Sequence, residues 1–207
     1  MGTLRTLSVA LAPPLCVACR RGCEADEIAC GRCRRQLGEL EPLSGRGPQG
    51  VDSAWSSAPH EGPARELVVA LKFRRLLPAA ELMAERIACL APASTLSGVL
   101  VPIPTARGRA LGRGFDPAAV LADALATRTA IRVEPCLERR GRGRQVGRRR
   151  AERLSRPPRF RVRGEAPASA VVLDDVLTTG ATVSAAARAL REAGAVRVVA
   201  VGFCRRL

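Results

Sequence analysis

Two stretches of this chain hold residue types whose spacing can do chemistry. The first is Val171 to Thr182, VVLDDVLTTGAT. Val171, Val172 and Leu173 form an apolar run that brings a buried strand to its carboxyl end, where open α/β sheets bind ligands. Asp174 and Asp175 follow at that edge, with side chains on opposite faces or splayed by the turn. Thr178, Thr179, Gly180, Ala181 and Thr182 then make a small-residue loop opening a helix. Such a loop presents backbone N–H groups, hydroxyls and the positive end of the helix dipole to a phosphate, and Gly180 allows close approach. The two carboxylates suit ribose hydroxyls and Mg²⁺, a hard cation that takes oxygen ligands. A phosphate grip beside two carboxylates predicts a site for a phosphorylated sugar. The plain alternative is a strand–turn–helix whose turn happens to be acidic.

The second stretch is Cys16-x2-Cys19-x10-Cys30-x2-Cys33. Zinc takes four ligands tetrahedrally, and each Cys-x-x-Cys knuckle presents two thiolates. Two knuckles close the coordination sphere and leave no position for water, so a Zn²⁺ held there is structural. A redox pair and unliganded thiols are the competing readings, and Cys23 leaves a swap of ligand open. Of the eight cysteines, five crowd into 16–33, while Cys89, Cys136 and Cys204 stand alone in apolar or strand-like contexts. A disulfide scaffold would spread its cysteines and carry a secretory signal.

Lys72 is the only lysine among 34 basic residues. In a chain where Arg stands almost everywhere else, a compact ammonium with a tunable pKa predicts a role in the chemistry, beside a departing anion. Chance retention on a helix surface is the bland reading.

These groups need elements to position them. Val51–Ala58 reads as a first strand, Pro63 opens an amphipathic helix through Leu67 and Leu71, and a second helix after Pro78 runs Leu82 to Leu90. Gly98–Pro104 is a short buried strand. Asp116-Pro117 caps a helix over Ala118–Thr127. Ala170–Leu173 is a strand, Ala181–Ala193 a helix ended by Gly194, and Val196–Phe203 a final strand. Strand and helix alternate, which predicts βαβ units and an α/β fold with a parallel sheet flanked by helices. Residues 1–43 read as a zinc ribbon module, 44–50 as a linker of turn formers, and 51–207 as the main domain.

At these residues the chain resembles a known family. VVLDDVLTTGAT is similar to the phosphoribosyl-diphosphate-binding motif of type I phosphoribosyltransferases. The cysteine knuckles, ELVVALKF (Glu66–Phe73), LVPIPTARGRALGRGFDPA (Leu100–Ala118) and RQVGRRRAERL (Arg144–Leu154) resemble, in order, the ComF family of competence-associated, phosphoribosyltransferase-like proteins with an N-terminal zinc ribbon. The resemblance covers nearly the whole chain. It implies that Asp174 and Asp175 hold the ribose hydroxyls and the Mg²⁺-bound substrate, and that Thr178 through Thr182 hold the 5′-phosphate. It also implies that the loop from Pro104 through Thr105 to Arg107 faces pyrophosphate. Two positions depart from the family pattern: Asp116-Pro117 stands for Asn-Gln, and Arg148 for Leu. Both bear on the acceptor side and leave the sugar-phosphate motif intact. The function expected is Mg²⁺-dependent binding of phosphoribosyl diphosphate with transfer to an acceptor. The alternative is a nucleic-acid-associated accessory protein of the DNA-uptake machinery that keeps the site as a sensor or relic.

Charge and composition bound these readings. The 207 residues are 47% hydrophobic but 2% aromatic, with 35 alanines, so the core must come from Leu, Val, Ile and Ala. The net charge is +15, which predicts polyanionic partners, although a drift from Lys to Arg accounts for much of it. Residues 138–163 hold twelve Arg and two Glu, a local +10. That segment is either a contact for single-stranded DNA, a flap over the sugar-phosphate site, or a solvated face; one aromatic, Phe160, gives little stacking. His60, the only histidine, reads as a loop residue. No apolar run approaches the roughly 18–20 residues of a spanning helix. The weak apolar run at 7–15 is preceded by a single Arg side chain and interrupted by two prolines, so a retained N-terminus and a cytoplasmic protein are expected.

Overall fold

The computed structural model describes residues 14–140 and 158–206. The apolar run at 7–15 lies almost wholly outside these residues, and so do Arg148 and most of the Arg-rich segment.

Strands β1 (Leu43–Arg46), β2 (Ser53–Pro59), β3 (Val99–Pro102), β6 (Ser169–Leu177) and β7 (Arg197–Arg205) form one sheet in the order β1-β2-β7-β6-β3. All neighbours run parallel except β1, which lies antiparallel along the β2 edge. A two-stranded antiparallel ribbon, β4 (Leu137–Arg140) with β5 (Arg159–Val162), stands apart from it. The two central strands, β6 and β7, carry SAVVLDDVL and RVVAVGFCR, near-continuous apolar runs because both faces of a parallel sheet are covered.

On one face lie α2 (Gly62–Arg74), α3 (Pro78–Leu90) and α5 (Pro117–Thr129), which bury Leu67, Leu71, Met83, Ile87, Leu121 and Leu125 against Val171, Leu173, Val199, Val201 and Phe203. On the other lies α6 (Ala181–Glu192), whose Val183, Ala186, Ala187 and Leu190 pack on Val172, Val198 and Ala200. Alanine at the contact lets this helix approach the sheet closely without bulky aromatics. Phe203 is the largest fully buried side chain, and truncating it to Ala would cost about 3–5 kcal/mol. Each helix start expected from proline is present: Pro63 and Pro117 sit in first turns, and Pro78 opens α3. Asp116 caps α5 by accepting the Ala118 N–H at 3.1 Å.

The N-terminal cysteine segment is packed against the main core. Helix α1 (Gly31–Glu39) buries Cys33 and Leu37, which join Cys16 and Val17 in the same cluster as α2 and α3. The Arg74 guanidinium donates to the Val17 carbonyl at 2.9 Å, and Arg86 donates to the carbonyls of Leu40 and Ser57. Within 44–50, residues Ser44 to Arg46 belong to β1 and lengthen the sheet.

Five elements are absent from the sequence reading, each for a physical reason. Helix α1 has nine residues, two of them glycine, and its buried face is only Cys33 and Leu37, so its pattern is too short to stand out beside the cysteine spacing. Helix α4 (Arg107–Arg113) is RGRALGR, with two helix-weakening glycines. Strand β1 is LSGR, a string of turn formers. Strands β4 and β5 are far apart in the chain, so no short turn announces their pairing. Among the described residues, no helix is long and apolar enough to cross a membrane.

Candidate functional site

A cleft of about 190 Å³ opens where β3 stops. The last β3 pairing is Pro102 with Leu173, and the Ile103 N–H donates to the Leu173 carbonyl at 2.9 Å. Strand β6 itself continues to Leu177 beside β7. Asp174 is therefore exposed to the cleft because its neighbour strand ends, not because its own does. The lining of the cleft includes Pro104 and Thr105 after β3, Thr178 and Thr182 after β6, the cations Lys72, Arg109 and Arg113, and Arg139 of β4. Of the residues expected at a sugar-phosphate site, the structure brings together Lys72, Pro104, Thr105, Asp174, Asp175, Thr178 and Thr182.

The adjacent carboxylates have different surroundings. Asp175 is 2% exposed, where the sequence reading set both at an exposed sheet edge. Its Oδ1 accepts the Val176 N–H at 3.0 Å, and its Oδ2 lies 2.7 Å from Lys72 Nζ, an ion pair rather than an aligned hydrogen bond. Asp174 is half-buried and its Oδ1 accepts the Asp175 N–H at 2.9 Å. The dense walls, and then the Asp175 carboxylate beside it, push its carboxyl well above the usual range.

The loop after β6 divides its residues. Thr178 and Thr182 face the cleft, whereas Thr179, Gly180 and Ala181 are not part of its lining. Gly180 sits at the N-cap of α6 with φ +78°, and a Cβ there would come within 2.8 Å of Pro48 Cβ. Its glycine is required by backbone conformation and by Pro48 of the β1–β2 connection. Arg107 opens α4, and its side chain lies outside what is described.

Arg109 and Arg113 of α4 were not foreseen at the cleft, and Asp116 was expected only as a helix cap and as a departure on the acceptor side. The Asp116 Oδ2 accepts the Thr105 N–H at 2.7 Å while Oδ1 caps α5, so one carboxylate ties the β3 loop to the following helix. A carboxylate accepts at both oxygens, which fits Asp at this position. Arg109 and Arg113 are four apart on α4, a spacing that puts both on one side once the helix is known. Arg113 also stacks over the Phe73 ring, 5.2 Å from its centroid, and Arg75 donates to the Gly112 carbonyl at 2.8 Å. Behind the cleft, His60 Nδ1 lies 3.0 Å from Cys204 Sγ. Burial, with Asp175 adding to it, pushes the Cys204 thiol up to about 12, which keeps it protonated and unreactive. Burial, followed by the charges of Arg206 and Lys72, lowers the His60 pKa.

The four cysteines of the two knuckles converge as a separate centre. The Sγ atoms of Cys16, Cys19, Cys30 and Cys33 all lie within 4.8 Å of one another, and this quartet can hold a metal ion. Burial raises the Cys16 pKa, but the backbone N–H groups of Cys19, Cys30 and Ala18 outweigh it and bring the thiol down to about 6. Burial and the neighbouring thiols push Cys33 the other way. Cys23 stands outside the quartet, donating to the carbonyls of Glu27 at 3.1 Å and Pro14 at 3.5 Å. No family model and no curated protein matches the chain.

Proposed function

We propose that the cleft binds phosphoribosyl diphosphate with Mg²⁺ and transfers its phosphoribosyl group to an acceptor, on a type I phosphoribosyltransferase-like fold of the ComF kind. The observation that carries this reading is the meeting, in one cleft, of the half-buried Asp174, the threonines at the α6 N-terminus and the cations Lys72, Arg109 and Arg113. Thr178 and Thr182, with the first amides of α6, suit a 5′-phosphate. The carboxylate of Asp174 suits the ribose hydroxyls. Lys72 compensates Asp175 and, with Arg109 and Arg113, offers positive charge where pyrophosphate would leave.

Mg²⁺ fits this donor set in one way. Both Asp175 oxygens are engaged and Asp174 Oδ1 accepts a backbone N–H, which leaves Asp174 Oδ2 as the free carboxylate oxygen. A single such oxygen does not build a protein cage, but Mg²⁺ is commonly held by one or two carboxylates plus substrate phosphates and water. Bound there, it would shield the charge of the diphosphate. In the transfer, the bond from ribose C1 to the pyrophosphate oxygen breaks, that oxygen keeps the electron pair, and an acceptor nitrogen forms the new bond. The residues present contribute positioning and charge, and the acceptor's own lone pair supplies the nucleophile. For the cysteine quartet we propose a structural Zn²⁺, four thiolates with no open position.

Titration calorimetry with phosphoribosyl diphosphate, with and without Mg²⁺, tests the reading. Saturable heat that depends on Mg²⁺ and disappears in Thr182→Glu is expected. No heat with either, from a protein that melts cooperatively, rejects it.

A further inference from the structure

A second basic cleft lies away from Asp174, between the β4–β5 ribbon and α6. It encloses about 570 Å³ and is lined by Arg140, Arg159, Arg161 and Arg188, with Glu192 and Phe160. Its charges are arranged at a cost. Arg140 and Arg159 are direct cross-strand partners in the ribbon, a like-charged pairing that weakens a hairpin. Arg188 of α6 faces the same space. Arg161 shares the Glu138 carboxylate with Arg163, at 2.5 and 3.1 Å. Among the described residues, no side-chain ion pair or side-chain hydrogen bond involves the guanidinium of Arg140, Arg159 or Arg188. Three guanidinia on two facing elements, with Glu192 as the one acidic side chain in the lining, leave the cleft net positive and favourable to an anion.

We propose that this cleft binds a compact oligophosphate, a chain of two or three linked phosphates, free or carried by a nucleotide. Guanidinium forks match phosphate oxygens two at a time, and three forks around one cavity match several closely spaced phosphates. The volume is that of a small-molecule site, and the aromatic ring in the lining, Phe160, has Arg139 5.6 Å from its centroid. A strand-binding groove would instead offer open rings for successive bases. The site is independent of the Asp174 cleft, and its ligand needs no Mg²⁺ from the protein.

The probe is sodium tripolyphosphate, titrated at low salt without Mg²⁺ into wild type, Arg188→Glu, the double variant Arg140→Glu with Arg159→Glu, and Thr182→Glu. Thr182→Glu blocks the Asp174 cleft and should retain tripolyphosphate binding. Arg188→Glu and the double variant should each weaken it by at least about tenfold, the loss expected when a charge-assisted hydrogen bond to an anion is removed. Arg188→Gln, which removes charge without reversing it, covers the case in which a Glu variant fails to fold, and its loss should be smaller but in the same direction. Three results overturn the proposal: binding lost in Thr182→Glu but kept in the Arg variants, equal binding in all variants, or no binding by folded wild type. A single-stranded oligonucleotide that binds more tightly than tripolyphosphate and loses its affinity in Arg188→Glu also overturns it, in favour of a strand. Failure of phosphoribosyl diphosphate to bind the other cleft leaves these arms unaffected.

Discussion

The cysteine quartet and the Asp174 cleft are both polar centres set against the same apolar core, but they are assembled over different lengths of chain. The quartet uses residues from Cys16 to Cys33 and two local knuckles. The cleft draws on α2, the β3 loop, α4, β4, β6 and α6, from Lys72 to Thr182. A centre made by local turns survives changes elsewhere in the fold. A centre made by topology depends on strand order, here on β3 ending before β6 does. The two regions also differ in compensation. The thiols of the quartet can hold an external cation, whereas Asp175 already holds an internal one in Lys72.

That contrast can be broken most strongly at the quartet. Cys33 is 2% exposed and belongs to the core that includes α2 and α3. Cys33→Ser should abolish bound zinc, expected at about one per chain for a four-thiolate site, and destabilise the protein by several kcal/mol. Chelation should act alike and lower the main transition, because the cysteine segment packs into that domain and does not hang from a free linker. Elemental analysis and calorimetric melting check both points. A main transition untouched by chelation would show that the module is energetically separate.

The next effect is at the internal pair. Lys72→Met leaves Asp175 buried without its cation and should cost about 3 kcal/mol. Asp175→Asn keeps an acceptor for the Val176 N–H, and the Lys72 side chain, 23% exposed, can turn toward water, so its cost should be smaller. Urea unfolding of the two variants gives the order directly. The reverse order would mean that Lys72 and not Asp175 is the group most dependent on the pair.

Asp174 predicts a pH effect of smaller size. A carboxyl whose pKa is raised by folding binds its proton more tightly in the folded state. Stability therefore falls as pH rises from the unfolded carboxylate range toward the raised folded value. Asp174→Asn should flatten that fall and raise the melting temperature near neutral pH by a few degrees. Parallel melting curves for the two proteins from pH 4 to 8 would contradict the assignment.

The smallest effect belongs to the ribbon. Glu138 is held down to about 2, first by Arg163 and then by Arg161. A depressed carboxyl stabilises above its unfolded pKa and loses that contribution as pH falls toward the folded value. Glu138→Gln should loosen β4–β5 at neutral pH while leaving the main transition almost unchanged. Amide exchange in the ribbon is the measurement, and unchanged protection would mean that packing on α6 alone holds it.

Much of the frame was readable along the chain because its signals are local. Cysteine spacing, the apolar runs of β6 and β7, proline at helix starts and the Asp116 cap depend on neighbours a few residues away. The pairing of the knuckles is of this kind, and so is the small-residue turn before α6. What the tertiary structure alone decided is where charges meet. It buried Asp175 and left Asp174 half open, although the two are adjacent, because alternate residues of a strand face opposite sides of the sheet and only one side meets Lys72. It turned Gly180 toward Pro48 and brought Arg109 and Arg113 to the cleft on a helix that its own sequence barely favours. It set Arg140 beside Arg159 across a pairing that no turn sequence announces. Local preference fixes backbone shape over a few residues, but the distance between two charges far apart in the chain is set by the packing of the elements that carry them.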